Sequence, residues 1–382
     1  MLRDKSVIGL NMAVFMMMVG VGMVVARLPH RIIEITGSAG LVGYLSSTFA
    51  ISYIILQLPV GRLSDRTGFK PLLMTGYLLC ALAGILFYAF ERADSIFIGR
   101  LVQGAGEVPV WALAPALLSV KYPLSKGKAM GIYNAVIHLG LTMGPVLGVM
   151  VAEICPGNQI FLLYAGTCLA GALVIGLTVE NIRAGEKKTE NEVFSKYMPG
   201  LVSNNRVLIT FAGIVLYGAG YGIFLTVIPA FLICSKHFSP GYTGLYFSLF
   251  YIAVSVSQLI VGPLADKAGQ RAFMSGGLVI AGAGIGIFSQ LDVTACLAAL
   301  TLASLGLGIF YLSSMAYLNG IVSSDLKGTI SGAYYCFWGI GMFFGPLILG
   351  HLCDTLSPET GFCILSFAII FEAVAIFLKH RG

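Results

Sequence analysis

Arg100, Gln103, Glu107 and Trp111 follow one another at spacings of three and four. Seven residues bring an α-helix back to within about 20° of its starting direction, so these four side chains share one face. A guanidinium, an amide, a carboxyl and an indole on one stripe can bind a polar molecule or hold and release a proton. The run around them is apolar, which places the stripe inside a predicted membrane span. An ionised carboxylate at that depth must be paired, solvated or protonated. Burial favours the neutral acid and the nearby Arg100 charge favours the carboxylate. That competition makes Glu107 a candidate proton carrier, with Arg100 as its partner and Gln103 and Trp111 as substrate contacts. The competing reading is a static Arg100–Glu107 pair holding the bundle together. The two residues lie two turns apart, roughly 10 Å along the axis, so they meet only if both side chains reach.

Other candidates stand nearby in the chain. His138 lies mid-way along a later apolar run with Asn134 one turn before it, a second titratable or substrate-binding position that serves equally well as a packing histidine. Arg27, next to His30 and Arg31, sits near the outer end of the first run, where attraction of an anionic substrate competes with interfacial snorkelling. Tyr217, Tyr221, Tyr251, Trp111 and Trp338 are candidate cavity aromatics, although aromatics on membrane helices also simply pack. Glu372, in the last run, is assigned no role. There is no HExxH, no GxSxG and no cluster of intramembrane acids, so no enzyme activity is expected. Eight cysteines without CxxC or zinc-type spacing indicate neither a metal site nor a disulfide framework, and Cys353 and Cys363, which flank one short outer loop, could pair. No cofactor is expected beyond a coupling proton.

The elements that must position these residues are set by composition. The 382 residues are 57% hydrophobic and 10% charged, against about 25% charged in soluble domains. Glycine, 48 residues, is enriched as in closely packed membrane helices. Apolar runs bounded by charges, glycines and prolines predict twelve spans, near 7–29, 40–62, 70–90, 95–118, 127–152, 159–180, 206–230, 241–265, 270–290, 293–317, 328–351 and 360–378. The first is too long for a signal-peptide core and has no small-residue cleavage site, so it is read as a retained span. Residues 1–180 and 206–382 are thus two predicted six-helix bundles, with 181–205 a cytoplasmic linker. From Glu180 to Lys196 eight of 17 residues are charged. With the N-terminus inside, 18 of 23 lysines and arginines fall on the cytoplasmic side, which puts both termini there. The net charge of +6 therefore reports topology, not nucleic-acid binding.

The two sets of spans repeat at an offset of 201: Gly40, Gly43, Gln57, Gly61, Leu63, Asp65 and Gly68 match Gly241, Gly244, Gln258, Gly262, Leu264, Asp266 and Gly269. Gly140 and Gly144-Pro145 likewise match Gly341 and Gly345-Pro346. At that offset the charged stripe of span 4 corresponds to Thr301, Ser304, Gly308 and Leu312, so the charges belong to one half only. A scaffold role should have been repeated.

After span 2, Gly61, Asp65, Arg66, Gly68 and Lys70 resemble the G-x-x-x-D-R/K-x-G-R/K-R/K signature of the major facilitator superfamily, with Phe69 at a position usually basic. The second copy keeps Gly262, Asp266, Lys267, Gly269 and Arg271, with Gln270 as its departure. Gly140-x-x-x-Gly144-Pro145-x-x-Gly148 resembles the G-x-x-x-G-P-x-x-G-G motif of the drug:proton antiporter branch, Val149 replacing the last glycine, and Arg100-x-x-Gln103-Gly104 resembles that branch's R-x-x-Q-G. The resemblance spans essentially the whole chain. It implies an all-α membrane fold of twelve transmembrane helices in two six-helix repeats, and makes Gly61, Asp65, Arg66, Gly68, Gly262, Asp266, Lys267, Gly269, Gly140, Gly144 and Pro145 gating residues. It further implies a monomeric carrier of the cytoplasmic (inner) membrane. Such a carrier would export a small organic molecule against protons by alternating access, with no nucleic-acid partner. Proton-coupled uptake, or facilitated passage of a small metabolite, is the alternative.

Overall fold

A computed structural model describes residues 4–122, 124, 126–154, 157–183, 204–322 and 327–379. The side chains of residues 58, 65, 126–128, 153, 259–268 and 327–329 also lie outside the description. Among the described residues all regular structure is helical, and eleven stretches are long and apolar enough to cross a membrane. The chain is an integral, multi-pass membrane protein.

In chain order the helices are α1 (Lys5–Thr36), α2 (Tyr44–Thr67), α3 (Phe69–Ala89), α4 (Ala93–Val108), α5 (Ala114–Lys121), α6 (Lys126–Ile154) and α7 (Gln159–Thr178). Then come α8 (Asn205–Leu225), α9 (Val227–Cys234), α10 (Pro240–Ala268), α11 (Gln270–Ile287), α12 (Val293–Ile321), α13 (Lys327–Thr355) and α14 (Pro358–Lys379). Helices α4 and α5 are joined by a π-helical turn, Pro109–Leu113, and together make one span. Asp4, Asn204 and Asp292 cap α1, α8 and α12 by accepting from the backbone N–H of Ser6, Arg206 and Ala295, satisfying donors the first turn leaves open.

By its contacts the chain divides into two units, Met1–Glu186 with Leu232–Ser248, and Lys187–Phe231 with Leu249–Gly382. In the first, α1 packs on α6 and α7, α3 on α4 and α7, and α2 on α4. In the second, α8 packs on α13, and α11 on α12 and α14. Glycines permit close helix crossings. A Cβ on Gly76 would stand 2.5 Å from the Gly106 carbonyl oxygen and one on Gly106 2.7 Å from the Gly76 oxygen, so α3 and α4 meet backbone to backbone. Gly277 and Gly306 make the same reciprocal contact between α11 and α12, at 2.7 and 2.5 Å.

Candidate functional site

The span 4 stripe forms one hydrogen-bonded chain. Arg100 Nη1 donates to Gln103 Oε1 at 2.8 Å, Gln103 Nε2 donates to Glu107 Oε1 at 2.9 Å, and Trp111 Nε1 donates to Glu107 Oε2 at 3.0 Å. Arg100 also donates from Nε to the Leu45 carbonyl of α2 at 2.9 Å and lies over the Phe49 ring at 4.8 Å. Arg100, Gln103 and Glu107 are 4%, 0% and 3% exposed, so the chain is shielded from solvent and its electrostatics act at short range. Gln103 therefore stands between the two charges, and the arrangement is a relay rather than a direct Arg100–Glu107 pair. Both carboxyl oxygens of Glu107 face donors that have nothing to accept with, an amide NH2 and an indole N–H. A proton placed on Glu107 finds no acceptor among these partners, so protonation must break one of the two bonds or swing the carboxyl away.

Sequence reasoning placed Trp111 on the stripe by α-helical geometry, but the turn that carries it is π-helical. Pro109 and Pro115 explain the widening. Neither has an N–H to give, and the Ala114 N–H reaches back to the Pro109 carbonyl in an i to i+5 bond. The next such bond would need the N–H of Pro115, so the Val110 carbonyl is left open, and the buried Tyr133 hydroxyl of α6 donates to it at 2.8 Å. Such turns recur at functional sites. Pro109 and Pro115 were visible in the sequence, but Tyr133 as their partner was not.

The reciprocal glycine pairs change the repeat equivalence in this span. Gly76 and Gly277 stand 201 apart, yet their partners Gly106 and Gly306 stand 200 apart. Aligned on these glycine crossings, Arg100, Gln103, Glu107 and Trp111 fall opposite Leu300, Ala303, Leu307 and Tyr311, and not opposite the Thr301, Ser304, Gly308 and Leu312 of the 201 offset. Leu300, Ala303 and Leu307 are buried, so the second unit fills three of these four places with apolar side chains and the fourth with Tyr311.

Of the predicted aromatics, Tyr217, Tyr221 and Trp338 come together: Tyr221 stacks edge-on against Trp338 at 5.6 Å and against Tyr217 at 6.3 Å. Tyr251 sits beside Phe250 at 5.0 Å, and Phe250 in turn meets Tyr221 at 5.3 Å. Sequence reasoning missed Tyr311, Tyr334 and Tyr335 of this cluster. Tyr311 stacks on Tyr217 at 5.6 Å and shares a 3.2 Å hydroxyl contact with Tyr335, while Tyr334 bonds Ser314 at 3.1 Å.

His138 is half-buried on α6, and Asn134, one turn earlier, is exposed. Arg27 is committed elsewhere: its two terminal nitrogens fork onto the Glu34 carboxylate at 2.7 and 2.9 Å, so its charge is largely answered within α1. The i, i+7 spacing of Arg27 and Glu34 was the available signal. His30 Nε2 lies 3.0 Å from Thr243 Oγ1, within the first unit. Cys353 and Cys363 are free thiols. Among the described residues no group of three or more His, Cys, Asp or Glu is placed to hold a metal ion.

Around the first signature, Gly68 has φ +86° and lies against the Asn181 side chain, which leaves no room for a Cβ. Asn181 accepts from Lys70 N and donates to the Thr67 carbonyl, and Phe69 N donates to the Ile182 carbonyl, so the chain leaving α7 staples the α2–α3 turn. Gly61 is half-buried and Arg66 exposed. Gly269 repeats the positive φ, at +87°. The side chain of Asp65, and those of positions Gly262, Asp266 and Lys267, lie outside the described residues.

On α6, a Cβ on Gly140 would stand 2.8 Å from Met18 Cβ and one on Gly144 2.5 Å from the Val19 carbonyl, so both let α1 approach. The Pro145 carbonyl faces Gly244, and Ser248 donates to the Thr142 carbonyl at 3.1 Å. The start of α10 thus packs on α6 within the first unit.

Residues 10–239 and again 210–381 match the Major Facilitator Superfamily. The chain belongs to this superfamily. Among similar superfamily proteins, multidrug resistance protein 2 of Bacillus subtilis is 23% identical over 94% of this chain and 90% of its own length. The quinolone resistance protein NorA of Staphylococcus aureus is 23% identical over 99% of this chain and 98% of its own. A crystal structure of the nucleoside transporter NupG superposes with a TM-score of 0.81 at 15% identity, covering 98% of this chain and 99% of that one. As a superfamily member the protein is a transporter, and it resembles the drug:proton antiporter branch.

Proposed function

We propose that this protein exports a small organic molecule in exchange for protons, by alternating access of twelve helices arranged as two six-helix repeats. The observation that carries the reading is the shielded Arg100–Gln103–Glu107–Trp111 chain, an ion-bearing relay placed in a span whose counterpart in the second half carries no charge. A proton arriving from outside neutralises Glu107, breaks the bond to Trp111 or Gln103, and favours outward release of substrate; its departure inward restores the bonds. Arg100 sets how firmly the carboxylate is held, Gln103 transmits between the two charges, and Trp111 links the proton state to the π-helical turn. His138 and Asn134 of α6 and the Tyr217, Tyr221, Tyr251 and Trp338 aromatics are the substrate-facing candidates, while Arg27, engaged by Glu34, takes a secondary place. The glycine signatures and Gly140, Gly144 and Pro145 are the gating elements.

Support for the repeat comes from the matching glycine crossings and the matching packing orders of the two units. The lysine and arginine distribution supports both termini in the cytoplasm of a cell bounded by this inner membrane. The carrier works as a monomer, needs no cofactor beyond the proton and catalyses no chemical reaction. Reconstitution into inside-out vesicles with an acidic lumen tests direction: drug-like cations and organic anions should be screened for accumulation. Accumulation driven by the gradient is expected, whereas uptake only into right-side-out vesicles would make the protein an importer.

A further inference from the structure

Outside the span 4 relay, among the described residues one other carboxyl lies deep within a membrane helix and has no role in the mechanism above. Glu372 of α14 is 8% exposed, and its Oε1 has no hydrogen-bond partner. It sits seven residues before the cytoplasmic end of the helix at Lys379, about 10 Å into the span. The lipid-facing side of α14 is marked by Phe367 and Phe371, 74% and 75% exposed, so Glu372 is turned inward, toward the backbone of Gly213 on α8. The remaining acids of the second half, Asp266, Asp292, Asp325, Asp354 and Glu359, flank the predicted spans, and the repeat counterpart of position 372 is Gly171. Like the relay, this carboxyl is present in one half only.

The groups presented by the packed elements do not neutralise it. From α8 come Arg206 at the cytoplasmic start and Tyr217 one turn beyond Gly213. From α11 comes Arg271, whose guanidinium lies over the Phe377 ring at 4.1 Å and whose buried Nε has no partner. Between Lys327 and His351, α13 offers only Tyr334, Tyr335 and Cys336 as titratable groups, and the turn Phe288–Gln290 offers none. On α14 itself the nearest charge is Lys379, two turns away. Among the described residues no cation pairs with Glu372, and a bare carboxylate in such surroundings is strongly disfavoured against the neutral acid.

We propose that Glu372 is a second proton-binding site of this transporter, occupied by a proton in the conformation described and emptied when Arg271 or water reaches it. Two hydrogen bonds mark the α11–α14 contact beside the carboxyl. Ser275 Oγ donates to the Ala373 carbonyl at 2.8 Å, and Ser366 Oγ to the Gly282 carbonyl at 2.7 Å. Arg271 lies one turn below Ser275, so a slide along this contact would bring its unpartnered Nε toward the unpartnered oxygen.

The test compares Glu372→Gln, which copies the neutral acid, with the wild-type protein in thermal melts from pH 5.5 to pH 9, alongside mass-spectrometric mapping of labelling by dicyclohexylcarbodiimide. That reagent adds across a protonated carboxyl in apolar surroundings: the acid oxygen bonds to the carbodiimide carbon, the acid proton passes to nitrogen, and acyl shift leaves a stable urea. The expected result is a variant whose stability relative to wild type increases as pH rises from 5.5, and labelling of Glu372 that falls several-fold by pH 9. A melting difference that stays flat over the whole range, or a variant whose stability relative to wild type falls as pH rises, overturns the proposal. Should the amide not fold, Glu372→Met carries the same expectation, and transport by Glu107→Gln reports separately on the span 4 relay.

Discussion

Replacing Gln103 with Leu removes the bridge between two buried charges and should cost more than removing the charges themselves. The substitution leaves Arg100 Nη1 and Glu107 Oε1 without the partners they hold at 2.8 and 2.9 Å. Each lost bond to a buried charged group costs about 1.5–3 kcal/mol, and bonds within membrane bundles average nearer 0.6 kcal/mol; together about 2–4 kcal/mol is expected for the pair. The second unit shows the apolar alternative, with Leu300, Ala303 and Leu307 in the corresponding places. A triple variant Arg100→Leu, Gln103→Ala, Glu107→Leu should therefore melt within about 1 kcal/mol of wild type or above it, because exchanging a buried ion pair for apolar side chains is often neutral or stabilising. Its losses are the acceptor of the Trp111 indole, the donor to the Leu45 carbonyl and the guanidinium over Phe49. Thermal unfolding in one detergent should show the single variant about 2–5 °C below wild type and the triple variant near wild type but inactive in transport. A triple variant less stable than the single one would mean that the charges hold the bundle together, and would refute the argument that they are kept for function.

Further outcomes follow from the same geometry. Gly144→Val should destabilise by about 1–3 kcal/mol, read as a lowered melting temperature, because a Cβ there meets α1 backbone that cannot turn aside. Gly68→Ala should cost more than Gly269→Ala in the same melts: both combine a positive φ with an extended ψ, a strain of roughly 1–3 kcal/mol for other residues, but only Gly68 also meets Asn181. Tyr133→Phe should leave the Val110 carbonyl open, costing about 1 kcal/mol, and shift the Trp111 fluorescence. At the start of α1, burial would raise the Asp4 carboxyl, but hydrogen bonds from Tyr122, Lys121 and the Ser6 N–H, with the Lys121 charge, outweigh it and hold it at about 2. Tyr122 is pushed up to about 12 by burial and by the same contact. Because the folded-state value of Asp4 lies below its ordinary 3.8, its contribution is present above that pH and is lost as pH falls toward 2. Partial exposure screens it to about 1 kcal/mol, so Asp4→Asn should lower stability by that amount at pH 7 and by nothing near pH 2.

The span 4 stripe was legible because helical periodicity acts within one segment, and four polar residues in an apolar run can be phased without knowing their neighbours. Its bonding order was not, since Gln103 becomes a bridge only through rotamers that packing selects. The π-helical turn was half legible in Pro109 and Pro115, but its partner Tyr133 comes from another helix. The one-residue change of repeat equivalence in span 4 needed the glycine crossings, because leucine and alanine align equally well at either offset. Asn181 was hidden in a stretch read as linker, where its role depends on the Gly68 backbone it touches. Glu372 could be located from the sequence, yet only the orientation of α14 shows that it faces protein rather than lipid.

The central claim is that a proton on Glu107 is exchanged for substrate. The most direct measurement compares wild-type and Glu107→Gln protein in proteoliposomes, recording transport under an imposed pH gradient and substrate exchange without one. The account predicts that the variant, like a permanently protonated carboxyl, keeps exchange but loses gradient-driven accumulation. Gradient-driven accumulation equal to wild type would contradict it.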